Sequence, residues 1–268
     1  MRTLVTPASC RRLADAVTQL GGTLPTELQT TLDGFDALTA WRPAAPVNDV
    51  ATAITKGKFT ATTASGLLDK ALNGPSVDAR EIRAAAQTAL ANQFHKAVNG
   101  PAGDQLVESI RPTFDTAAAG ILAAAEWINP ASTAEQVLDM PDAAAAAWRD
   151  LPTHRRILDA IWALLDQLAD DFDVIGAPRP WLNHGSVHKI AFLVANENVN
   201  LDHAAMQVGP RTNSGRGGYW LALLTKTALV LNTPSRAREI LAHAEERQRD
   251  QARADYAATH PDLVAVSD

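Results

Sequence analysis

Apolar residues recur at helical spacing over most of this chain, and that recurrence restricts it to a helical fold. Ile82, Ala86, Leu90, Phe94 and Val98 fall every four residues. Leu106, Ile110, Phe114, Ala117, Ile121, Ala125 and Ile128 follow at intervals of three and four. Leu158, Ile161, Trp162, Leu165, Leu168 and Phe172 form the most regular stripe, with Asp159, Asp166 and Asp170 off it or on its rim. Such intervals line one face of a helix, whereas a half-buried strand alternates at every second residue. Helix punctuation separates the stripes. Thr6-Pro7 opens the first helix and Gly21-Gly22 closes it. A second helix spans 26–41, with Leu28, Leu32, Phe35 and Leu38 on one face, and residues 47–73 read as two short helices about Gly57. Ser76 caps the next helix and Asn99-Gly100-Pro101 stops it. Ser132-Thr133-Ala134-Glu135 reads as a capping box, and Pro141-Asp142 restarts a helix through Ala143–Ala147. Pro112, inside a stripe, predicts a kink or a split, because proline removes a ladder donor and crowds the preceding turn.

The fold class that follows is all-α. Much of the hydrophobic content is alanine, a strong helix former and a poor core filler, and aromatics make up only 5% of the chain. Helices of this composition pack closely through small residues around few large anchors. The Gly176-Ala177-Pro178-Arg179-Pro180 stretch reads as a stiff linker. It divides an Ala-rich multi-helix body, 1–175, from a smaller, mainly helical C-terminal module, 176–268. Within the module, the apolar run Ile190–Ala195 is too short for periodicity to separate helix from strand, and its helical surroundings favour helix. Tyr219–Leu231 is long enough for a helix. The last helix, from Ser235 to about Ala258, sets Glu245 four residues before Arg249 and Asp250 three before Arg253, the pattern of an exposed helix.

Charge and cysteine content bound the chemistry. A formal charge of -6 argues against broad electrostatic binding of nucleic acid. The one cysteine, Cys10, excludes an intramolecular disulfide and a cysteine zinc site, and reads as a small packed or surface thiol. No run reaches the roughly 18 apolar residues of a membrane span, and the first residues lack a signal-peptide apolar region. The expected location is cytoplasmic.

Two constellations are candidates for chemistry. His184 and His188, at i and i+4, would share one side of a helix as metal binding requires, with Glu197, Asp202 and His203 as further ligands. No glutamate follows the first histidine and Gly185 weakens the helix, so a surface or capping pair is favoured over a metal-dependent enzyme. The Gly209–Gly218 loop offers a backbone nest with Arg211 and Arg216, and the terminal helix adds Arg236, Arg238, Arg247 and Arg249 as residues for partner or phosphate contact. The loop matches neither the Walker pattern nor GxGxxG. Asp166, Asp170, Asp171 and Asp173 read as a solvated face, and Arg11-Arg12 and Arg155-Arg156 likewise. No nucleophile–histidine–carboxylate set assembles and no cofactor is expected.

The Tyr-then-acidic signal of mycobacterial type VII substrates is absent: four residues beyond Tyr256 stands His260, and beyond Tyr219 stands Leu223. In its Ala-rich helical style and its charged terminal helix, the chain resembles helical structural and scaffold-like assembly proteins of bacteriophages that infect GC-rich bacteria. The resemblance implies a non-enzymatic assembly role through protein–protein contacts, with a protein partner and homo-oligomerisation expected. A nucleic-acid-associated protein using the 209–218 loop is the alternative.

Overall fold

The computed structural model describes residues 5–41, 52–56, 58, 60, 62–63, 66, 79–176, 187–195, 198–206 and 216–260. Ser76, Gly57, His184, Glu197, Arg211, the 177–186 stretch and most of the basic loop lie outside them. The described residues are helical in the main, with no strand among them, and the all-α class is thereby established. In chain order they form α1 (Pro7–Gln19), α2 (Thr26–Ala40), α3 (Ala79–Val98), α4 (Pro101–Ala125), α5 (Ala134–Leu138), α6 (Asp142–Asp170), a 3-10 segment (Val187–Phe192), α7 (Leu201–Met206), α8 (Gly218–Lys226) and α9 (Pro234–Thr259). Residues 52–55 are also helical.

Local chemistry explains most of the boundaries. Thr6 caps α1 by accepting from the Ser9 N–H at 3.1 Å, while the Thr6 N–H donates to Ser9 Oγ at 3.0 Å. The helix ends at Gly21, whose φ of +76° suits glycine. The capping box of α5 sits one residue later than its sequence suggests. Thr133 and Gln136 form it, because the Ser132 hydroxyl already accepts from the Asn129 N–H at 3.0 Å.

Neither internal proline divides its helix. α4 runs unbroken through Pro112, and α6 runs for 29 residues through Pro152, joining the Ala-rich run to the Leu158–Phe172 stripe. An interior proline costs about 3 kcal/mol. Around Pro112, however, Ile110, Phe114, Ala117 and Ile121 are all buried, and their burial outweighs that cost.

The most extensive packing is between α4 and α6. Gly120 of α4 makes it possible: a Cβ there would stand 2.4 Å from the His154 ring of α6. α2 lies on α3, and α1 touches α2, α3 and α6. Phe94 and Phe172 meet at 5.7 Å between ring centroids, so the end of α6 closes on the end of α3. The α3 stripe is used unevenly, since Phe94 and Val98 are buried but Ile82 is 43% exposed.

The C-terminal elements pack on the same core. α8 lies on α4 and α6, and α9 lies on α4 and the 3-10 segment. Ile190, Leu193, Trp220, Ile240 and Leu241 belong to one buried cluster with Phe114, Leu158 and Leu165, so apolar contact is continuous across residue 176. Two helical expectations here are corrected. The 190–195 run is 3-10 helix only to Phe192, and Val194 then forms an antiparallel bridge with Leu229. α8 stops at Lys226 rather than Leu231. The reason lies in the backbone donors: the Val230 N–H is taken by the Leu193 carbonyl at 3.1 Å and the Asn232 N–H by that of Phe192 at 2.7 Å. The buried Asn232 amide adds hydrogen bonds to the Ala191 and Val194 carbonyls at 2.9 and 2.7 Å.

Candidate functional site

α9 is anchored at its base and bare beyond it. Thr233 caps the helix and Pro234 starts it. Asp104 of α4 accepts from the Ser235 N–H at 2.9 Å and from its hydroxyl at 2.6 Å. Arg238 donates to the Val174 carbonyl at 2.8 Å and to Ser235 Oγ at 2.9 Å. Ala237, Ile240, Leu241 and Ala244 bury one stripe of the helix, and no residue from Glu245 to Thr259 is buried. At 1.5 Å per residue the uncovered part extends about 22 Å. Its charges are mixed: Glu245, Glu246, Asp250 and Asp255 against Arg247, Arg249 and Arg253. Arg249 is paired with Glu245, and Arg253 with Asp250 at 3.4 Å.

Among the described residues, the arginines singled out in the sequence do not form one surface. The Arg216 guanidinium lies 5.3 Å from the centroid of the Trp148 ring, and its Nε donates to the Trp148 carbonyl at 2.6 Å. It therefore ties the end of the basic loop to the first part of α6. Arg238 sits past the other end of that helix, on the order of 33 Å away along its axis. Arg236 pairs with Glu239 at 2.9 Å, and Arg247 is exposed on the bare half of α9 beside Arg249.

Of the histidine constellation, His188 is 4% exposed on the 3-10 segment, and His203 is exposed on α7. Among the described residues, no group of three His, Cys, Asp or Glu side chains is placed to hold a metal. Cys10 is fully buried in α1, and burial pushes its thiol up to about 12, so it stays protonated and inert.

A polar seam along α6 was not legible as such in the sequence. The Lys189 ammonium reaches Asp170 at 2.7 Å and Asp166 at 3.1 Å. Burial works against its charge, but the two carboxylates outweigh that and hold it above its ordinary value. Further along, Asp159 accepts from Trp220 Nε1 at 2.7 Å and pairs with Arg155 at 3.4 Å. Burial first, and then the charges of Asp159 and Asp166, push the pKa of the neighbouring Tyr219 up. The aspartates read as a solvated face do lie at the surface, Asp170 and Asp173 exposed and Asp166 and Asp171 half-buried, and three of them also hold partners. Asp166 and Asp170 clasp the 3-10 segment, Asp159 clasps α8, and Asp171 pairs with Arg12 at 3.2 Å. Arg11 also braces α1, through its pair with Asp36 of α2. One signal was available: Lys189 is the lone charge opening an apolar run, and a lysine so placed needs a partner. Proton-holding Tyr219 and charged Lys189 suit a clasp rather than proton transfer.

A groove of about 390 Å³ lies between α1 and α6, lined mainly by Ala16, Leu20, Ile157, Ala160 and Leu164, with Gln19, Gln167 and Arg156. No helix among the described residues is long and apolar enough to cross a membrane. Comparison of the chain with family models, curated proteins and solved structures finds no match.

Proposed function

We propose that this chain is a non-enzymatic helical assembly protein acting through protein–protein contacts, a bacteriophage virion or its assembly being the setting that its resemblance to helical phage proteins suggests. The observation that carries this reading is the bare half of α9, a helix fixed at its base by Asp104 and Arg238 and left unburied from Glu245 to Thr259. Isolated helical segments of this length are marginal in water, so a free segment of mixed charge gains most from a partner lying along it. A phosphate backbone would select one sign of charge, whereas this segment carries both, which favours a protein.

The test is sedimentation of the full chain in an extract of its native host. The expected result is an assembly heavier than the 28.5 kDa of one chain. Deleting residues 245–268 returns the chain to monomer size with its thermal midpoint unchanged. A full-length chain that sediments alone overturns the reading. Terminase, portal or capsid genes beside its gene would support the phage setting.

A further inference from the structure

We infer that the partner of α9 is a second copy of the same helix, lying antiparallel across a two-fold axis between Arg249 and Asp250. This deepens the assembly reading and rests on it. The argument begins with the face of α9 turned away from the body. The buried stripe runs through Ala237, Ile240, Leu241 and Ala244. On the opposite side, Glu239, Ala242, Glu246, Arg249 and Arg253 recur at intervals of three and four, Asp250 stands beside Arg249, and all are exposed. A partner helix can approach this face along its whole length without disturbing the core.

The order of charges on that face is complementary to its own reverse. With the axis between Arg249 and Asp250, Arg249 of one copy faces Asp250 of the other, and Glu246 faces Arg253. The same operation sets Ala242 against Ala257, two small side chains that let the backbones approach, and Glu239 against His260. Because a two-fold contact repeats each pair, the Arg249–Asp250 and Glu246–Arg253 pairs each occur twice, and each of these charges meets its opposite. Other arrangements lose this. A parallel in-register pair stacks Glu246 on Glu246 and Arg253 on Arg253. An axis at Arg249 sets that guanidinium against its own copy, and an axis at Asp250 does the same for the carboxylate. The pairs within the helix, Arg236 with Glu239, Arg249 with Glu245 and Arg253 with Asp250, lie at the surface and are of small energy, so they do not compete strongly with an intermolecular partner. The seam is poor in large apolar residues. The contact is therefore of the weak, salt-sensitive kind, multiplied when several copies assemble.

Charge reversal in the full-length chain tests the register. Glu246→Arg sets two arginines face to face in its own dimer, and Arg253→Glu sets two glutamates face to face in its own. Mixed together, the two variants bring the reversed charge at position 246 of one chain opposite the reversed charge at position 253 of the other, and full complementarity returns. In low salt, sedimentation velocity of the parent should show concentration-dependent dimer. Each variant alone should dimerise about tenfold more weakly or worse, and the equimolar mixture should regain at least the parent's association. Raising salt should weaken the parent and the mixture alike, since exposed charges are screened beyond about 10 Å at 0.1 M. Circular dichroism of each variant should match the parent, showing that the helix remains formed. A parent that stays monomeric into the millimolar range overturns the inference, as do variants that dimerise like the parent, or a mixture that fails to associate. If the parent is monomeric while the heavier assembly persists in extract, only the second copy is removed as partner and the assembly reading stands.

Discussion

At the residue scale, the side chains with the most to lose are those that fill or clasp the core. Leu165 is fully buried on α6 in the cluster that joins body and C-terminal elements. Its truncation to Ala should cost about 2–5 kcal/mol, measured by denaturant unfolding, because both transfer energy and a cavity are involved. Lys189 and Tyr219 predict an alkaline weakness. Each binds its proton more tightly in the folded chain than in the unfolded one, from ordinary values of 10.5 and 10.0. Their contribution is whole below those values and is lost as pH rises through the higher folded ones. Unfolding free energy should therefore fall above pH 10.0, and Lys189→Met together with Tyr219→Phe should flatten that slope. Ultraviolet titration of the two tyrosines should show one that resists ionisation until the chain unfolds, and Tyr219→Phe should remove it.

At the scale of elements, α9 adds to its own Thr233 cap a second cap from a distant helix. Asp104 lies more than a hundred residues before the helix it caps, and it satisfies both the Ser235 N–H and hydroxyl. Asp104→Ala should cost about 1 kcal/mol, as loss of an N-cap does, and hydrogen exchange should quicken in the first turn of α9 while α4 stays protected. The short bridge between Val194 and Leu229 is held similarly by Asn232, whose amide serves two buried carbonyls. Asn232→Leu should cost about 1–3 kcal/mol, read as a lowered thermal midpoint, because buried polar groups lose their partner.

For the whole molecule, the position at which α9 leaves the core decides what can be removed. A cut at residue 233 deletes Ala237, Ile240, Leu241 and Ala244 from a continuous cluster and should lower the thermal midpoint sharply. A cut at residue 245 removes no buried side chain among those described and should leave the midpoint unchanged. Comparing the two truncations by calorimetry separates the anchored half from the bare half. Equal midpoints for the two would contradict the packing of α9 on α4 and the 3-10 segment.

The helical fold was legible because its signals are local. The stripe from Leu158 to Phe172, the Thr6-Pro7 opening and the Gly21 stop each state their structure within one or two turns, where spacing and capping act. What escaped the sequence depended on distant partners. Nothing near Pro112 or Pro152 announces that burial on neighbouring helices will carry the helix through. Nothing beside Leu229 reveals that the carbonyls of Phe192 and Leu193 will take the backbone donors of Asn232 and Val230 and end α8 early. The roles of Arg216 and Arg238 were likewise decided by what stood across from them, Trp148 in one case and Val174 and Ser235 in the other. The bare half of α9 could be recognised as an exposed helix from its own charges, but where exposure begins was set by the tertiary structure, since Ala244 is the last side chain the core reaches.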